Sequence, residues 1–141
     1  MPKIRVEACV ESFNQSSNIK HIGAYGIAIQ SGKILLTVKQ KGPYKGLLDL
    51  PGGKIEEGET PELALRREFL EEVAMEYAEC TFLEHVFHTQ QNFEHEGFLF
   101  KVSGCRLAAG SIPEELFDWY PIALLDELTL TPFAKCALTL R

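Results

Sequence analysis

No stretch of this chain approaches the roughly 18–20 consecutive apolar residues that a membrane-spanning helix requires. No two of its cysteines form a C-x-x-C pair; Cys9, Cys80, Cys105 and Cys136 are scattered along the sequence. Such spacing argues for ordinary thiols and against a zinc site or a disulfide frame. Positive charge is also scarce, with 14 Lys and Arg against 20 Asp and Glu and a net charge of −6. Nonspecific binding to DNA or RNA relies on neutralising phosphates with Lys and Arg, so nucleic acid is not an expected partner. A small phosphorylated substrate is not excluded, because a metal ion can carry the positive charge locally. Repeats and low-complexity tracts are absent. The N-terminus, Met1 to Glu7, interleaves charge with apolar residues and lacks the apolar core of a secretion signal. Cytoplasmic residence is therefore the expectation.

What is present suits one globular domain. The chain has 141 residues, 45% of them apolar and 24% charged, enough for a single substantial core. Ile4, Val6, Ala8 and Val10 alternate with Arg5, Glu7, Cys9 and Glu11, the period of a strand, and Ser12 to Asn18 reads as a polar connector. Two apolar runs, Tyr25 to Ile29 and Lys33 to Val38, meet at Ser31-Gly32 and predict a hairpin. A Gly-Pro loop, 42–46, leads into Leu47 to Leu50 and the turn Pro51-Gly52-Gly53. Longer strands are expected over Thr81 to Thr89 and Phe93 to Ser103, with a turn at Gln90-Gln91-Asn92. Residues 104–113 read as loop, Trp119 to Pro121 as a short strand, and Pro132 to Leu140 as a final helix.

Between these lies the most specific segment, Gly53 to Met75. Thr60 can cap a helix whose first position, Pro61, needs no amide donor. At 100° per residue, Glu68, Glu71 and Glu72 then span roughly a third of the circumference. Leu65, Phe69 and Val73 flank them, and Leu63, Leu70 and Ala74 occupy most of the far side, so the helix is expected to be largely buried. Carboxylates crowded beside apolar surface are costly unless a cation balances them. A hard divalent ion bound by oxygen suits that role, and Mg²⁺ usually arrives with a phosphate-bearing substrate.

The spacing of Gly53, Glu59, Arg67-Glu68, Phe69, Glu71-Glu72 and Met75 resembles the Nudix box, the signature of hydrolases acting on nucleoside diphosphates linked to another group. One position departs from it. Ala74 stands where the family usually has glycine, and a shifted helix end with intact chemistry is expected there. The resemblance covers roughly residues 20 to 141 and implies an α+β fold, an α/β/α sandwich around a mixed β-sheet. It divides the chain into an N-terminal strand extension, residues 1–18, and a Nudix hydrolase domain, residues 19–141. The extension can pair at a sheet edge, cover the substrate base or build a homodimer contact; the sequence does not choose.

By the same resemblance the cofactor is Mg²⁺, with Mn²⁺ as a substitute, and the reaction is attack of water on a phosphorus of a pyrophosphate bridge. Glu71 and Glu72 are the first-choice ligands, and Glu68 is a third ligand or the general base. The carbonyl of Gly52 or Gly53 completes the shell, and Gly53 borders the substrate. Arg67 orders the site within reach of Glu59, or forms a simple pair with Glu71. Lys39 and Lys41 stand where relatives place a phosphate-binding cation, although an exposed strand end explains them too. Glu94 and Glu96 are either surface carboxylates or an extra ligand or base, and Glu96 is a candidate substrate contact. His21, His85, His88 and His95 share no ligand spacing and read as structural. Phe87, Phe93, Phe98 and Phe100 can stack on a base, but period-two aromatics in strands are usually core.

The implied substrate is a small nucleotide, most consistent with a nucleoside triphosphate, ordinary or oxidised, as for MutT-like enzymes. Gln90 and Gln91 stand where many ADP-ribose-cleaving relatives carry a proline. ADP-ribose or another nucleotide sugar is the alternative substrate, and a non-catalytic nucleotide sensor is the alternative from a different functional class.

Overall fold

The computed structural model describes residues 4–5, 10–13 and 19–139. Strands β1 (Ile4–Arg5), β2 (Val10–Phe13), β3 (Ile19–Gln30), β4 (Lys33–Val38), β5 (Leu48–Asp49) and β6 (Gly52–Lys54) precede helix α1 (Pro61–Val73). Strands β7 (Met75–Glu76), β8 (Glu79–Gln91), β9 (Phe93–Ser103), β10 (Arg106–Leu107) and β11 (Leu116–Pro121) follow it. A 3₁₀ turn over Ile122–Glu127 and helix α2 (Pro132–Thr139) close the chain.

The main sheet runs β1-β8-β9-β3-β4-β11, with β2 also on β8, β5 on β4 and β6 on β3. It is mixed. β3 and β9 are parallel, while β8 and β9, β3 and β4, and β4 and β11 are antiparallel. Successive side chains of a strand point to opposite faces, and β3 and β4 use this to serve two cores. Ala24, Ala28 and Leu35 face α1 and pack with Leu65, Phe69 and Val73. Tyr25, Ile27, Ile34 and Leu36 face α2 and pack with Phe133, Ala134 and Ala137. The result is the expected helix–sheet–helix sandwich of the α+β class.

Helix α1 starts as its sequence dictates. The Thr60 hydroxyl accepts from the Leu63 amide at 3.1 Å, and Pro61 takes the first turn. It stops without the expected shift. Ala74 itself adopts the left-handed conformation, φ 55°, and its amide reaches the Leu70 carbonyl at 3.1 Å. That conformation costs an L-residue about 1–2 kcal/mol, and the neighbouring loop holds it in place, with the Ala108 amide bonded to the Ala74 carbonyl at 2.8 Å. Nor is the helix buried on both flanks: Leu63 and Leu70 are exposed.

Most of the remaining sequence expectations hold, with shifted boundaries. Ser31 and Gly32, both at positive φ, turn the β3–β4 hairpin. The predicted loop 104–113 carries the short strand β10, which pairs with β7. Ser12 and Phe13, read as connector, belong to β2. β1 and β2 both run parallel to β8, whereas the rest of the proposed extension, 1–3, 6–9 and 14–18, lies outside the described residues. Cys80 and Cys105 are free thiols, but Cys136 is disulfide-bonded, contrary to the reading of all four as ordinary thiols. No helix among the described residues is long and apolar enough to cross a membrane.

One close approach ties the fold to the site. A Cβ on Gly97 would lie 2.3 Å from the Phe133 ring, which is 3% exposed. Gly97→Ala must therefore push Phe133 off the sheet. The expected cost is about 1–3 kcal/mol of stability, read as a lower urea midpoint; an unchanged midpoint would show that α2 yields freely.

Candidate active site

Two glycines bring the β6 turn against the acidic face of α1. The Gly52 amide donates to Glu72 Oε1 at 3.1 Å. Gly53 lies so close to the Glu68 carboxyl that any Cβ there would come within 2.6 Å of it. β6 is itself fixed by pairing with residues 23–25 of β3. The Pro-Gly-Gly turn is thus the floor on which two of the three box carboxylates rest.

Arg67 organises the others. Its Nε and Nη2 donate to the two oxygens of Glu59 at 2.7 and 2.9 Å, a bidentate fork. Nη2 also reaches the Lys54 carbonyl at 2.9 Å, while Nη1 donates to Glu68 at 3.0 Å and to Glu71 at 3.3 Å. One guanidinium thereby links the loop, the turn and the helix. The fork holds the Glu59 carboxyl at about 2, well below the usual carboxylate range.

Burial dominates the other two. Removal from water raises Glu68 above the ordinary carboxylate value despite Arg67, with Glu71 and Glu114 adding repulsion. Glu72 is pushed up to about 8, chiefly by burial, against the opposing pull of the Gly52 amide. These are carboxyls short of positive charge. Even so, no three His, Cys, Asp or Glu side chains among the described residues gather around one point to hold a metal. Arg67 draws Glu68 and Glu71 to itself, and Gly52 holds one oxygen of Glu72.

Glu114 and Glu115 were not singled out from sequence. Their amides donate to the Glu71 and Glu72 carbonyls, each at 3.0 Å, closing the open end of α1 and bringing two more carboxylates to the cluster. An EE pair after a proline carries no signal of its own in the sequence.

Glu68, Glu72, Gly52 and Gly53 open into a cavity of about 390 Å³. Its wall includes Lys39 and Lys54, Tyr25, Asp49, Glu115 and Thr131, and Phe93, His95, His21, His88 and Phe133. Lys41 is exposed and does not line it. Glu96 does not either: it is paired with His85 at 2.7 Å and with Lys20 at 3.3 Å. Substrate contact by Glu96 is therefore not supported by its position. Conversely, His21, His88, His95 and Phe93, read as structural or core, line the cavity.

The polar groups of the wall are tied to one another. Asp49 Oδ1 accepts from the Leu50 amide at 2.8 Å and from the Thr131 hydroxyl at 2.9 Å, while Thr131 caps α2 by accepting from Ala134 at 3.1 Å. Burial raises the Asp49 carboxyl. The Tyr25 hydroxyl lies between His95 Nε2 at 2.7 Å and His21 Nε2 at 3.0 Å. Phe133 stacks on His95 with centroids 4.0 Å apart.

Comparison with known proteins agrees with this architecture. The sequence profile of the NUDIX domain matches residues 20–138. An 8-oxo-dGTP diphosphatase of Proteus vulgaris is 38% identical over 69 residues, 48% of this chain and 62% of that protein. An ADP-ribose pyrophosphatase of Methanocaldococcus jannaschii is 46% identical over 50 residues, 36% of this chain and 30% of that one. These curated relatives are thus matched over less than two thirds of their own length. A crystal structure of a MutT NUDIX hydrolase from Burkholderia pseudomallei superposes with a TM-score of 0.69 at 25% identity, covering 86% of this chain and 98% of that one. With a family profile spanning nearly the whole described domain and a matching fold beneath it, the chain belongs to the Nudix family.

Proposed function

We propose that this chain hydrolyses a pyrophosphate bond in a nucleoside triphosphate, ordinary or oxidised, using Mg²⁺, with Mn²⁺ as a substitute. The observation that carries the proposal is a single cavity lined both by box carboxylates and by flat aromatic rings. A phosphate chain can meet the carboxylates only with a cation between, and a nucleobase can stack on the rings.

The donors are carboxylate oxygens, the chemistry a hard divalent ion prefers. Glu71 and Glu72 are the proposed ligands, with Glu68 as a third ligand or as the base, and the Gly52 carbonyl beside them. When bound, the ion supplies charge neutralisation at the phosphate oxygens and a more acidic water. The residues of the chain do the positioning. Arg67, forked onto Glu59, holds the cluster on the β6 turn. Lys39 stands on the cavity wall, where it can meet a phosphate oxygen. Water attacks one phosphorus, and the bridging P–O bond on its far side breaks to release a shorter phosphate. Glu68, raised by burial, suits taking the proton of that water.

Two comparisons support different substrates. The Proteus relative acts on 8-oxo-dGTP and the archaeal one on ADP-ribose, so ADP-ribose is the second reading. A screen of nucleoside triphosphates, 8-oxo-dGTP and ADP-ribose with Mg²⁺ separates them, with phosphate detected after added pyrophosphatase for the triphosphates and after added alkaline phosphatase for ADP-ribose, whose products are AMP and ribose 5-phosphate. Triphosphates are expected to give mononucleotide and pyrophosphate. Turnover of ADP-ribose alone would favour the second reading, and no turnover with nucleotide binding retained would favour a sensor.

A further inference from the structure

His88 has a chemical vacancy that nothing in the reaction explains. It is 4% exposed and lines the cavity, yet neither ring nitrogen has a hydrogen-bond partner among the described residues. A neutral imidazole carries one donor and one acceptor, and a buried polar group left unpaired is costly. Such a group in a native fold requires an explanation.

Its neighbours do not supply one. His88 pairs in register with His95 across β8 and β9, and His95 with His21 across β9 and β3. The three rings therefore form one row on the α2 face of the sheet. Two of them are already engaged, because the Tyr25 hydroxyl sits between His95 Nε2 and His21 Nε2. A phenol has a single proton, so it donates to one imidazole and accepts from the other. That arrangement fixes both outer partners and leaves His88 outside the chain of bonds. The other rings of the wall, Phe93, His95 and Phe133, offer flat faces.

We infer that His88 contacts the hydrogen-bonding edge of the substrate's nucleobase through a ring nitrogen, and so helps to set base preference. The inference rests on the nucleotide reading above. A heterocycle supplies both a stacking face, which Phe93 and Phe133 can meet, and donors and acceptors at its rim, which His88 can meet.

The test uses His88→Leu, which removes the polar atoms, and His88→Asn, which keeps a donor and an acceptor. Thermal shift with 5′-mononucleotides of each base, in EDTA, needs no turnover; ribose 5-phosphate is the base-free control. The wild type is expected to be shifted by at least one mononucleotide and not by ribose 5-phosphate. His88→Leu is expected to melt no lower than the wild type without ligand, since it removes an unpaired polar group, and to lose the shift. Its KM for the matching triphosphate should rise about tenfold, the worth of about one hydrogen bond, with kcat within about threefold. His88→Asn should recover part of both.

A retained mononucleotide shift in His88→Leu would overturn the inference, assigning the vacancy to water. So would a lower melting point with unchanged KM, an equal shift from ribose 5-phosphate, or no wild-type shift with any base. Mononucleotide binding through His88 without hydrolysis of any triphosphate would sink the proposed reaction and leave this contact standing.

Discussion

Replacing Glu72 by glutamine is expected to lower turnover by about 10³-fold or more while leaving the fold intact. The charge that Glu72 would bring to a bound ion is worth several kcal/mol at the reacting phosphate, and each 1.36 kcal/mol is a factor of about ten in rate. The fold survives because glutamine keeps an oxygen for the Gly52 amide, now 3.1 Å from Glu72. Calorimetry should show weaker Mg²⁺ uptake in parallel. Near-normal kcat in this variant would remove Glu72 from the ligand set.

The same substitution has an opposite effect on stability without metal. In the metal-free fold Glu72 titrates at about 8, against 4.5 for an ordinary glutamate, because burial penalises its charged form. Between those two values the folded chain keeps a proton that the unfolded chain releases. The contribution of Glu72 to stability is therefore greatest at and below about pH 4.5, falls as pH rises, and levels off above about 8. In EDTA, the wild-type melting temperature should decline across this window and that of Glu72→Gln should decline less. Some slope remains in the variant, because Glu68 is raised in the same direction. Parallel profiles for the two proteins would contradict the assignment. Under the proposed function, this loss of stability is the counterpart of a site kept for a cation.

How much of this could be read in advance depends on how far apart in sequence the partners lie. The box is local. Gly53, Glu59, Arg67 and Glu68 sit on one turn, one loop and one helix, and fixed helical geometry makes their spacing informative. The histidine and aromatic wall of the cavity is not local. His95 reaches Tyr25 across 70 residues, and Asp49 reaches Thr131 across 82. Those contacts exist only because β3 pairs in parallel with β9 and α2 folds back over the sheet. Parallel register leaves no mark in a single sequence, so His21 reads as unrelated to His95, whereas the antiparallel β8–β9 hairpin, with its turn at Gln90 to Asn92, was the signal that could have paired His88 with His95. One faint signal was present: Asp49 interrupts the apolar run Leu47 to Leu50 just before the turn, and a polar residue there requires a buried partner. For Glu94 and Glu96, position along the chain placed them close to the site, but side-chain direction mattered more. Glu96 points away from the α2 face that carries His95 and Gly97, as strand alternation dictates.

Arg67→Lys is the sharper probe of how the site is held. The guanidinium makes bonds to Glu59, Glu68, Glu71 and the Lys54 carbonyl at 2.7–3.3 Å. A lysine ammonium has three donors and no planar fork, so it cannot grip Glu59 bidentately and still reach both box carboxylates. The carboxylates should therefore drift by a fraction of an ångström to an ångström relative to the β6 turn. Misplacement on that scale can cost about 10²-fold in rate. The expected result is a kcat lower by about 10²-fold with a smaller change in KM, because Arg67 arranges the cluster without lining the cavity. Acid stability supplies a second readout. Arg67 holds Glu59 at about 2, so the fork stabilises the fold fully above about pH 4.5 and is lost as pH falls towards 2. Arg67→Lys should be less stable above about pH 4.5 and should lose less of its stability between about pH 4.5 and 2, giving a flatter acid profile. Equal kcat and superimposable acid unfolding curves would mean that charge alone suffices at this position, and that the fork geometry contributes nothing to catalysis.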